Sequence, residues 1–217
     1  MVVDINEKII QAKQRLMFRG RGDSAREVET EHSDPRVPPG QHLVNNWPVL
    51  DLGIKPEVSL EDWRLHIDGE VEHPLTWNWK QYLEQPIVHL TSDFHCVTTW
   101  SRLDNEWDGV SFQHLLTIVQ PSPSAKYVLF ESYDEYTTNL PLSVCDDDDV
   151  ILAYQWNHQP LSKEHGGPVR MIVPKRYAWK GAKWIRKISF LPQDQKGFWE
   201  VRGYSNTALP WDNDRYG

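Results

Sequence analysis

Short segments rich in β-branched and aromatic residues recur along most of this chain, and they limit its fold more than any other feature. Four of them are KYVLFESY, DVILAYQW, PVRMIVP and KWIRKISFL. Such residues are enriched in β-strands. Two earlier segments, WRLHIDGEV and PIVHLTSDF, also have the character of strands, the first through its alternation of apolar and polar residues. The chain is therefore predicted to be mostly β.

Two segments between the strand candidates have helical character. TWNWKQYLEQ starts with a threonine that can cap a short helix, and SFQHLLTIVQP is a second short helix stopped by Pro121. Strands and helices do not alternate regularly, as they would in a doubly wound parallel sheet. The predicted fold class is α+β, a compact domain of mostly β structure with short helices.

The N-terminal part has a different pattern. Residues 4–19 are predicted to form an amphipathic helix, in which Asp4 and Glu7 resemble a capping box. The following segment, RGRGDSAREVETEHSDPRVPPGQH, is charged and poor in apolar residues, which indicates an extended arm. We therefore predict an N-terminal helix and arm over 1–42 and the folded domain over 43–217.

Charge and hydropathy exclude several classes of partner. The 217 residues include 23 basic and 31 acidic ones, for a formal net charge of −8. No basic stripe with interleaved aromatic residues is visible, so nucleic acid is not expected as a partner. No apolar segment approaches the roughly 20 residues of a membrane span, and the N-terminus lacks the pattern of a secretory signal. A cytoplasmic location is expected.

The thiol of Cys96 is the most unusual chemical feature. It follows His95 directly, at the end of a strand-like segment and before a polar segment containing tryptophan, VTTWSRLDNEWDG, which we predict to be a loop. With two cysteines in a reducing compartment, a disulfide is not expected. Adjacent residues of a strand point to opposite faces, so His95 is poorly placed to activate the thiol as a nucleophile. The histidines form no HxxxH motif and the cysteines no CxxC motif, which disfavours structural zinc.

A second chemical feature is the segment HGGPVRMIVPKRYAWKGAKWIRKI at 165–188. It concentrates positive charge in an otherwise acidic chain, and its glycines allow backbone N–H groups to approach a ligand. An anionic group such as a phosphate would suit it, although a solvated basic loop is the simpler alternative. Together with a soft thiol, which fits a redox-active transition metal, the segment suggests one bulky phosphorylated cofactor.

Two other features have simple structural explanations. The eleven tryptophans can form a tryptophan-rich core and surface, or some of them can line a pocket for a large ligand. The DDDD run at 146–149 is predicted to be a solvated turn before a strand, with calcium binding as a minor alternative.

Four stretches resemble the sulfite oxidase family of molybdenum–molybdopterin oxidoreductases, in particular its small haem-free bacterial members. They are NNWPVLDLG, FHCVTTWSRLDNEWDGV, KYVLFESYD and EHGGPVRMIVPKRYAWKGAKWI, and the C-terminal GFWEVRGYSNTALPWDNDRYG is also similar. The resemblance extends from about Leu43 to Lys187. It implies the fold of the sulfite oxidase molybdopterin-binding domain, with molybdenum and molybdopterin as cofactors.

The resemblance also implies roles for particular residues. Cys96 matches the catalytic cysteine whose thiolate ligates molybdenum, and His95 then has a supporting or structural role. The positions that match cofactor contacts of the family are Asn45, Cys96, Ser132, His165, Arg170, Gly181, Ala182 and Lys183.

The implied activity is two-electron oxygen-atom transfer on a small-molecule substrate, with electrons exchanged through an external electron-transfer partner. The sequence has neither a CxxCH haem motif nor a cysteine cluster for iron–sulfur. A non-catalytic, tryptophan-rich binding module that kept the fold and lost the metal is the alternative, and the presence of Cys96 argues against it.

The sequence departs from sulfite-oxidising relatives where they bind their anionic substrate. Those relatives carry an arginine directly before the pterin-contacting asparagine, where this chain has Val44. They also carry arginines shortly after the cysteine, where this chain has Trp100 and Ser101, with Arg102 next. Sulfite is therefore not the expected substrate.

Overall fold

A computed structural model describes residues 34–217 together with Glu7, Ile10 and Gln11. These three residues are helical, and Ile10 packs into the main core. The remainder of the helix predicted over 4–19, and the start of the predicted arm, lie outside the described residues. The domain boundary at residue 42 stays a prediction, although it falls within the first described strand.

The described part of the chain consists mainly of short strands. The strands are β1 (His42–Leu43), β2 (Arg64–Gly69), β3 (Leu75–Asn78), β4 (Ile87–Cys96), β5 (Trp100–Ser111), β6 (Tyr127–Ser132), β7 (Thr137–Pro141), β8 (Ile151–Trp156), β9 (Gln159–Pro160), β10 (Arg170–Ile172) and β11 (Ile185–Leu191). The helices are α1 (Trp79–Leu83), α2 (Phe112–Val119) and α3 (Leu142–Cys145), with 3-10 turns at Lys163–His165, Ala178–Lys180 and Glu200–Arg202.

The strands form two mixed sheets. In the first sheet, β5 pairs with β4 along one side, and with β1 and then β8 along the other; β8 also pairs with β9 and β10. The second sheet has the order β3-β2-β11-β6-β7, in which β2 and β11 are parallel. Within the described strands, β5 therefore has neighbours on both sides, whereas β4 pairs with β5 alone and lies at an edge of the first sheet.

Side chains alternate between two hydrophobic cores across the first sheet, as the period of a strand requires. In β8, Leu152 packs into the main core between the sheets, whereas its neighbours Ile151 and Ala153 pack into a smaller core on the opposite face. The same alternation separates Met171 from Ile172 in β10. The smaller core contains Cys96 and several tryptophans, so the thiol lies outside the main core.

The predicted α+β class is confirmed, and all six predicted strand segments contain a strand. The segment after Cys96 is not the predicted loop, because residues 100–111 form β5. Their polar composition does not indicate a strand, which is instead stabilised by backbone hydrogen bonds to β4. The predicted threonine cap is also wrong. Residues 75–78 pair with β2, so α1 starts later, with Asn78 and Gln81 forming a capping box.

None of the helices in the described part of the chain is long and apolar enough to cross a bilayer.

Candidate cofactor site

Cys96 is buried at the last position of β4, where a three-residue turn leads into β5. Trp100 lies directly opposite it in the pairing of the two strands. Side chains of such a pair lie on the same face of the sheet. The Cys96 Sγ atom is 3.1 Å from Thr98 Oγ1 within the turn. The hairpin thus holds the thiol rigidly beside a large aromatic ring.

A buried polar network supports the backbone at Cys96. Gln41 Nε2 donates to the carbonyl oxygen of Cys96 at 3.1 Å, and Ser101 Oγ donates to Gln41 Oε1 at 3.4 Å. His95 Nδ1 is 2.8 Å from Ser101 Oγ. Because that hydroxyl already donates its proton to Gln41, we assign the imidazole proton to Nδ1.

His95 itself is neutral at neutral pH. Burial lowers the pKa of His95 from its usual 6.5 to about 4. Its Nε2 atom is buried without a hydrogen-bond partner among the described residues. The role inferred for His95 from the sequence is therefore compatible with its position on the face opposite Cys96, next to Ser101.

An aromatic cluster occupies the Cys96 face of the first sheet, and Trp47 is its centre. The Trp47 ring lies 5.2 Å from Trp107, 4.8 Å from Trp156 and 5.5 Å from Phe94, measured between ring centroids. Phe94 lies two residues before Cys96 on β4 and hence on the same face. The cluster connects the thiol to the loop that carries His165, because the His165 ring stacks on Trp47 at 4.0 Å.

His165 is held by a hydrogen bond at each ring nitrogen. Its Nε2 atom lies 3.1 Å from the carbonyl oxygen of Trp47, which can only accept, so Nε2 carries the proton. Nδ1 then accepts from Ser162 Oγ at 3.0 Å. Burial lowers the pKa of His165, the hydrogen bond to Trp47 raises it, and the positive charge of Arg170 lowers it. The ring is thus an oriented, uncharged group beside a cation.

Arg170 is a buried cation without a carboxylate partner. Its guanidinium donates to the carbonyl oxygens of His165 at 2.9 Å, Gly181 at 3.2 Å and Met171 at 3.4 Å. Among the described residues, no carboxylate oxygen lies within 4 Å of it. Burial lowers the pKa of Arg170 to about 9, so the side chain is still charged at neutral pH. A buried charge without a counterion is costly, which makes this position suitable for an anion.

The guanidinium also connects the loop to the aromatic cluster. It lies over the rings of Trp47 at 5.2 Å and Phe94 at 5.3 Å. Through Phe94 the cation therefore shares one face of the first sheet with Cys96.

Two glycines allow the loops around Arg170 to pack closely. Gly166 has φ +104°, and a Cβ atom there would lie 2.8 Å from Lys183 Cβ. A Cβ atom on Gly181 would lie 2.7 Å from the carbonyl oxygen of Met171. The buried Ala182 follows, and its carbonyl oxygen accepts from the Met171 N–H at 2.8 Å. The backbone of 181–183 is thereby held against β10, where a larger residue at 181 would not fit.

Lys183 and Ser132 approach the same loops from two sides. Lys183 Nζ donates to the carbonyl oxygen of Glu164 at 2.9 Å. Ser132 ends β6 directly opposite Ile185, two residues after Lys183 in the chain. Its hydroxyl is buried and has no hydrogen-bond partner among the described residues. Such an orphaned group requires a ligand, an ion or a water molecule.

Asn45 lies at the exposed rim of the site. Its backbone carbonyl oxygen is 3.4 Å from Arg102 Nε. Arg102 also donates to the Asn105 side chain and lies over the Trp156 ring at 4.7 Å. The rim therefore carries a guanidinium two residues along β5 from Trp100.

The structure divides the basic segment predicted from the sequence. His165, Arg170 and Lys183 converge, whereas Lys175 forms ion pairs with Asp147 and Asp149 at 2.6 and 3.3 Å. Lys180 is fully buried and forms an ion pair with Glu200 at 2.7 Å. Lys175 and Lys180 are therefore excluded from the cationic site, because each already has its counterion.

Three residues around the site were not predicted. Gln41 lies in the segment predicted to be an arm, and Arg215 near the C-terminus donates to the carbonyl oxygen of Val97. Asp134 is buried, and burial raises the pKa of its carboxyl group to about 6, although the charge of Lys183 lowers it. A polar residue in a loop carries no local signal of burial. Asp134 and Arg215 lay within stretches that resemble the family, whereas Gln41 did not.

The residues present fit a large anionic cofactor with a soft metal. Cys96 offers a thiolate, the donor type that suits such metals. Within the described residues, Arg170 has no counterion and the Ser132 hydroxyl has no hydrogen-bond partner. These are the properties that an inert core position or a solvated loop would lack.

Comparisons with known proteins agree with this arrangement. A family model described as "Oxidoreductase molybdopterin binding domain" matches residues 52–199, more than half of the chain. Over 191 residues the chain is 39% identical to the "Uncharacterized oxidoreductase YuiH" of Bacillus subtilis (strain 168). This alignment covers 87% of this chain and 96% of that protein.

Two further similarities are more distant. The chain is 29% identical to the "Protein-methionine-sulfoxide reductase catalytic subunit MsrP" of Campylobacter jejuni, covering 69% of this chain and 56% of that protein. The structure resembles the sulfane dehydrogenase SoxCD from Paracoccus pantotrophus with a TM-score of 0.59 and 26% identity, covering 64% of this chain and 40% of the SoxCD chain. The chain thus spans about half of these two proteins.

The family model and the fold similarity confirm the resemblance and the type of fold predicted from the sequence. The chain belongs to the family of oxidoreductases with a molybdopterin binding domain.

Proposed function

We propose that this protein is a molybdenum–molybdopterin-dependent oxidoreductase that transfers an oxygen atom to or from a small substrate in a two-electron reaction. The observation that carries the proposal is the pairing of two groups on one face of the first sheet. One is the buried thiol of Cys96, and the other is the buried guanidinium of Arg170, which lies over the same aromatic cluster. The thiolate suits a redox metal, and the cation suits the phosphate of a pterin cofactor.

Each residue of the site has a defined task in this proposal. Cys96 would ligate molybdenum, and Asn45 would contact the pterin at the rim. Ser132, His165, Arg170 and Lys183 would bind the polar, phosphate-bearing part, with Gly181 and Ala182 providing a backbone surface against it. Molybdenum, when bound, supplies two-electron oxygen-atom transfer.

The protein itself would contribute rigidity and the exclusion of water. Gln41 and Arg215 donate to the carbonyl oxygens of Cys96 and Val97, so the backbone that carries the thiol is held from two sides. Trp100 covers the thiol from the opposite strand. Electrons would be exchanged with an external electron-transfer partner.

Metal analysis tests the proposal. Protein made in a host that synthesises the cofactor should contain about one molybdenum per chain, since one thiolate is available at the site. Cys96→Ala should lose the thiolate-to-metal absorption and most of the activity. Cys145→Ala is the matched control, because Cys145 is also fully buried but lies in the main core. Equal metal-centred spectra in the Cys96→Ala variant and the unmodified protein would contradict the assignment.

The pocket composition favours a neutral oxygen donor or acceptor, such as a sulfoxide or an N-oxide, over sulfite. A small dianion must lose its hydration on entering the site, and fixed guanidinium groups offset that cost. Val44 and Trp100 provide no such guanidinium group. The relative MsrP is named for methionine sulfoxide in proteins, which is an uncharged oxygen donor.

Steady-state kinetics with an artificial electron carrier tests this preference. KM should be much higher for sulfite than for sulfoxides and N-oxides, whereas kcat should differ less between these substrates. The missing charge affects substrate binding first. Tight and fast oxidation of sulfite would contradict the preference. Loss of that activity in Arg102→Met would then identify Arg102 as the replacement charge.

A further inference from the structure

Four polar side chains cluster on the face of the first sheet opposite the aromatic cluster. His89 lies on β4 between Val88 and Leu90, whose side chains pack on the Cys96 face. Asp108 is its direct partner on β5 and follows Trp107, another member of the Cys96 face. Alternation along each strand therefore places His89, Asp108 and Glu106 on the face opposite Cys96. His158, in the turn between β8 and β9, completes this histidine cluster.

The carboxylate of Asp108 lies between the two imidazoles. His89 Nδ1 is hydrogen-bonded to Asp108 Oδ1, and His158 Nδ1 lies 3.9 Å from Asp108 Oδ2. His158 Nε2 is also 3.0 Å from Glu106 Oε2. Each oxygen of Asp108 thus faces a different histidine, and Glu106 adds a second carboxylate on the far side of His158.

Accessibility differs sharply within the cluster. The side chain of Asp108 is 7% exposed, whereas His89 and His158 are 79% and 71% exposed. Neither a lysine nor an arginine lies within 4 Å of the Asp108 carboxylate among the described residues. In the described part of the chain, Asp108 is therefore a nearly buried carboxylate with no lysine or arginine beside it, and two exposed imidazoles reach it from the solvent side.

We propose that His89, Asp108 and His158, assisted by Glu106, bind a divalent transition metal ion of the Zn²⁺ type. Imidazole nitrogens and carboxylate oxygens are ligands that Zn²⁺ takes in fourfold coordination, at about 2.0–2.2 Å. In the structure His89 contacts Asp108, and His158 contacts Asp108 and Glu106, so coordination of one ion requires rotation of the exposed imidazoles about their side-chain bonds. Asp108 would serve as the fixed ligand about which they turn.

The cluster differs from the acidic turn at Asp147–Asp149, where three carboxylates lie close together. That turn offers oxygen ligands alone, which suit hard cations, and Lys175 already pairs with two of its three carboxylates. The histidine cluster offers nitrogen ligands and has no such lysine. The histidine cluster should therefore prefer Zn²⁺, whereas the acidic turn is suited to Ca²⁺.

A bound ion would connect three parts of the first sheet: β4, β5 and the β8–β9 turn. It would stabilise the folded chain by mass action, because the unfolded chain does not bring these ligands together. This inference does not depend on the proposed function, since the histidine cluster lies on the opposite face of the sheet from Cys96.

The test is calorimetric titration of the full chain, without an affinity tag and without cofactor, with ZnCl₂ and separately with CaCl₂. We expect one saturable Zn²⁺ site and a Tm that rises with Zn²⁺ concentration. His89→Ala and His158→Ala should each weaken Zn²⁺ binding by about 10–100-fold or more, since even supporting groups of metal sites have effects of that size. Both substitutions affect exposed side chains, so the variants should fold.

Three control variants make the result specific. His73→Ala removes an exposed histidine that is not part of the histidine cluster. Asp148→Asn alters the acidic turn, and Cys96→Ala removes the thiol. Zn²⁺ binding should be unchanged in all three. Absence of saturable Zn²⁺ binding, or binding that persists in both histidine variants, would overturn the proposal, as would loss of the site in Cys96→Ala.

Discussion

Lys180 and Arg170 are both cations of the basic segment 165–188, and both are buried, but their partners differ completely. Lys180 Nζ lies 2.7 Å from Glu200 Oε1 and 2.9 Å from the carbonyl oxygen of Asn139. Arg170, in the described part of the chain, reaches backbone carbonyls but no carboxylate. Two residues with the same signal in the sequence therefore have opposite electrostatic environments.

The difference separates a structural cation from a ligand-binding one. Burial lowers the pKa of both side chains, but the charge and hydrogen bond of Glu200 raise that of Lys180. Lys180 has its counterion within the fold, and an added anion would gain little there. Arg170 has a burial cost that an anion from outside can offset.

The largest expected effect is on folding, in Lys180→Met. The substitution leaves the Glu200 carboxylate buried without its cation, which typically costs about 3–5 kcal/mol. The free energy of unfolding of the cofactor-free chain in urea should fall by about that amount.

The double variant Lys180→Met with Glu200→Gln is the control. It removes both charges while the glutamine oxygen can still accept from Thr138 and Trp179, as Glu200 Oε1 does. Most of the stability should return. If the single and double variants were equally unstable, the loss would come from packing and not from the unpaired charge.

The second effect is on cofactor binding, in Arg170→Ala and Lys183→Ala. Each substitution removes a charge-assisted hydrogen bond of about 1.5–3 kcal/mol, so cofactor occupancy should fall. Fluorescence of the pterin released from each purified variant measures the occupancy. Lys163→Ala is a control that should keep full occupancy, because the Lys163 ammonium group pairs with Glu57. Full occupancy in both site variants would mean that neither Arg170 nor Lys183 binds the cofactor.

The third effect is on stability at low pH and concerns His95, a buried group whose Nε2 atom has no hydrogen-bond partner among the described residues. Its pKa is about 4 in the folded chain, against 6.5 for an ordinary histidine. The unfolded chain therefore binds more protons between these values, and stability should be complete above about pH 6.5. It should fall by up to about 3 kcal/mol as the pH drops towards 4.

Urea unfolding at several pH values between 7 and 4.5 measures this slope. His95→Asn should reduce it, because the amide can donate to Ser101 but does not titrate. An identical slope in that variant would assign the acid sensitivity to other groups.

The site residues were accessible from the sequence to different degrees. The motif around Cys96 and the HGGPVR stretch identified residues that the structure brings to one face, because a close family pattern preserves the order of such positions. Gln41 contacts the turn at Cys96 from a segment with no pattern of its own, and Arg215 does so from the C-terminal stretch, whose resemblance to the family assigned it no role. The polar β5 was taken for a loop, since its strand character comes from pairing with β4 and not from its residues.

The sequence by itself determined the local properties: which segments favour strands, where thiol and guanidinium groups occur, and the α+β class. Those properties depend on neighbouring residues, and alternation or composition reveals them. Only the tertiary structure decided which buried cation has a counterion. Glu200 is twenty positions from Lys180, and whether the two meet depends on how the C-terminal segment packs against β7. A charge is matched or unmatched through such distant contacts, which is why Lys180 and Arg170 look alike in the sequence and differ in the fold.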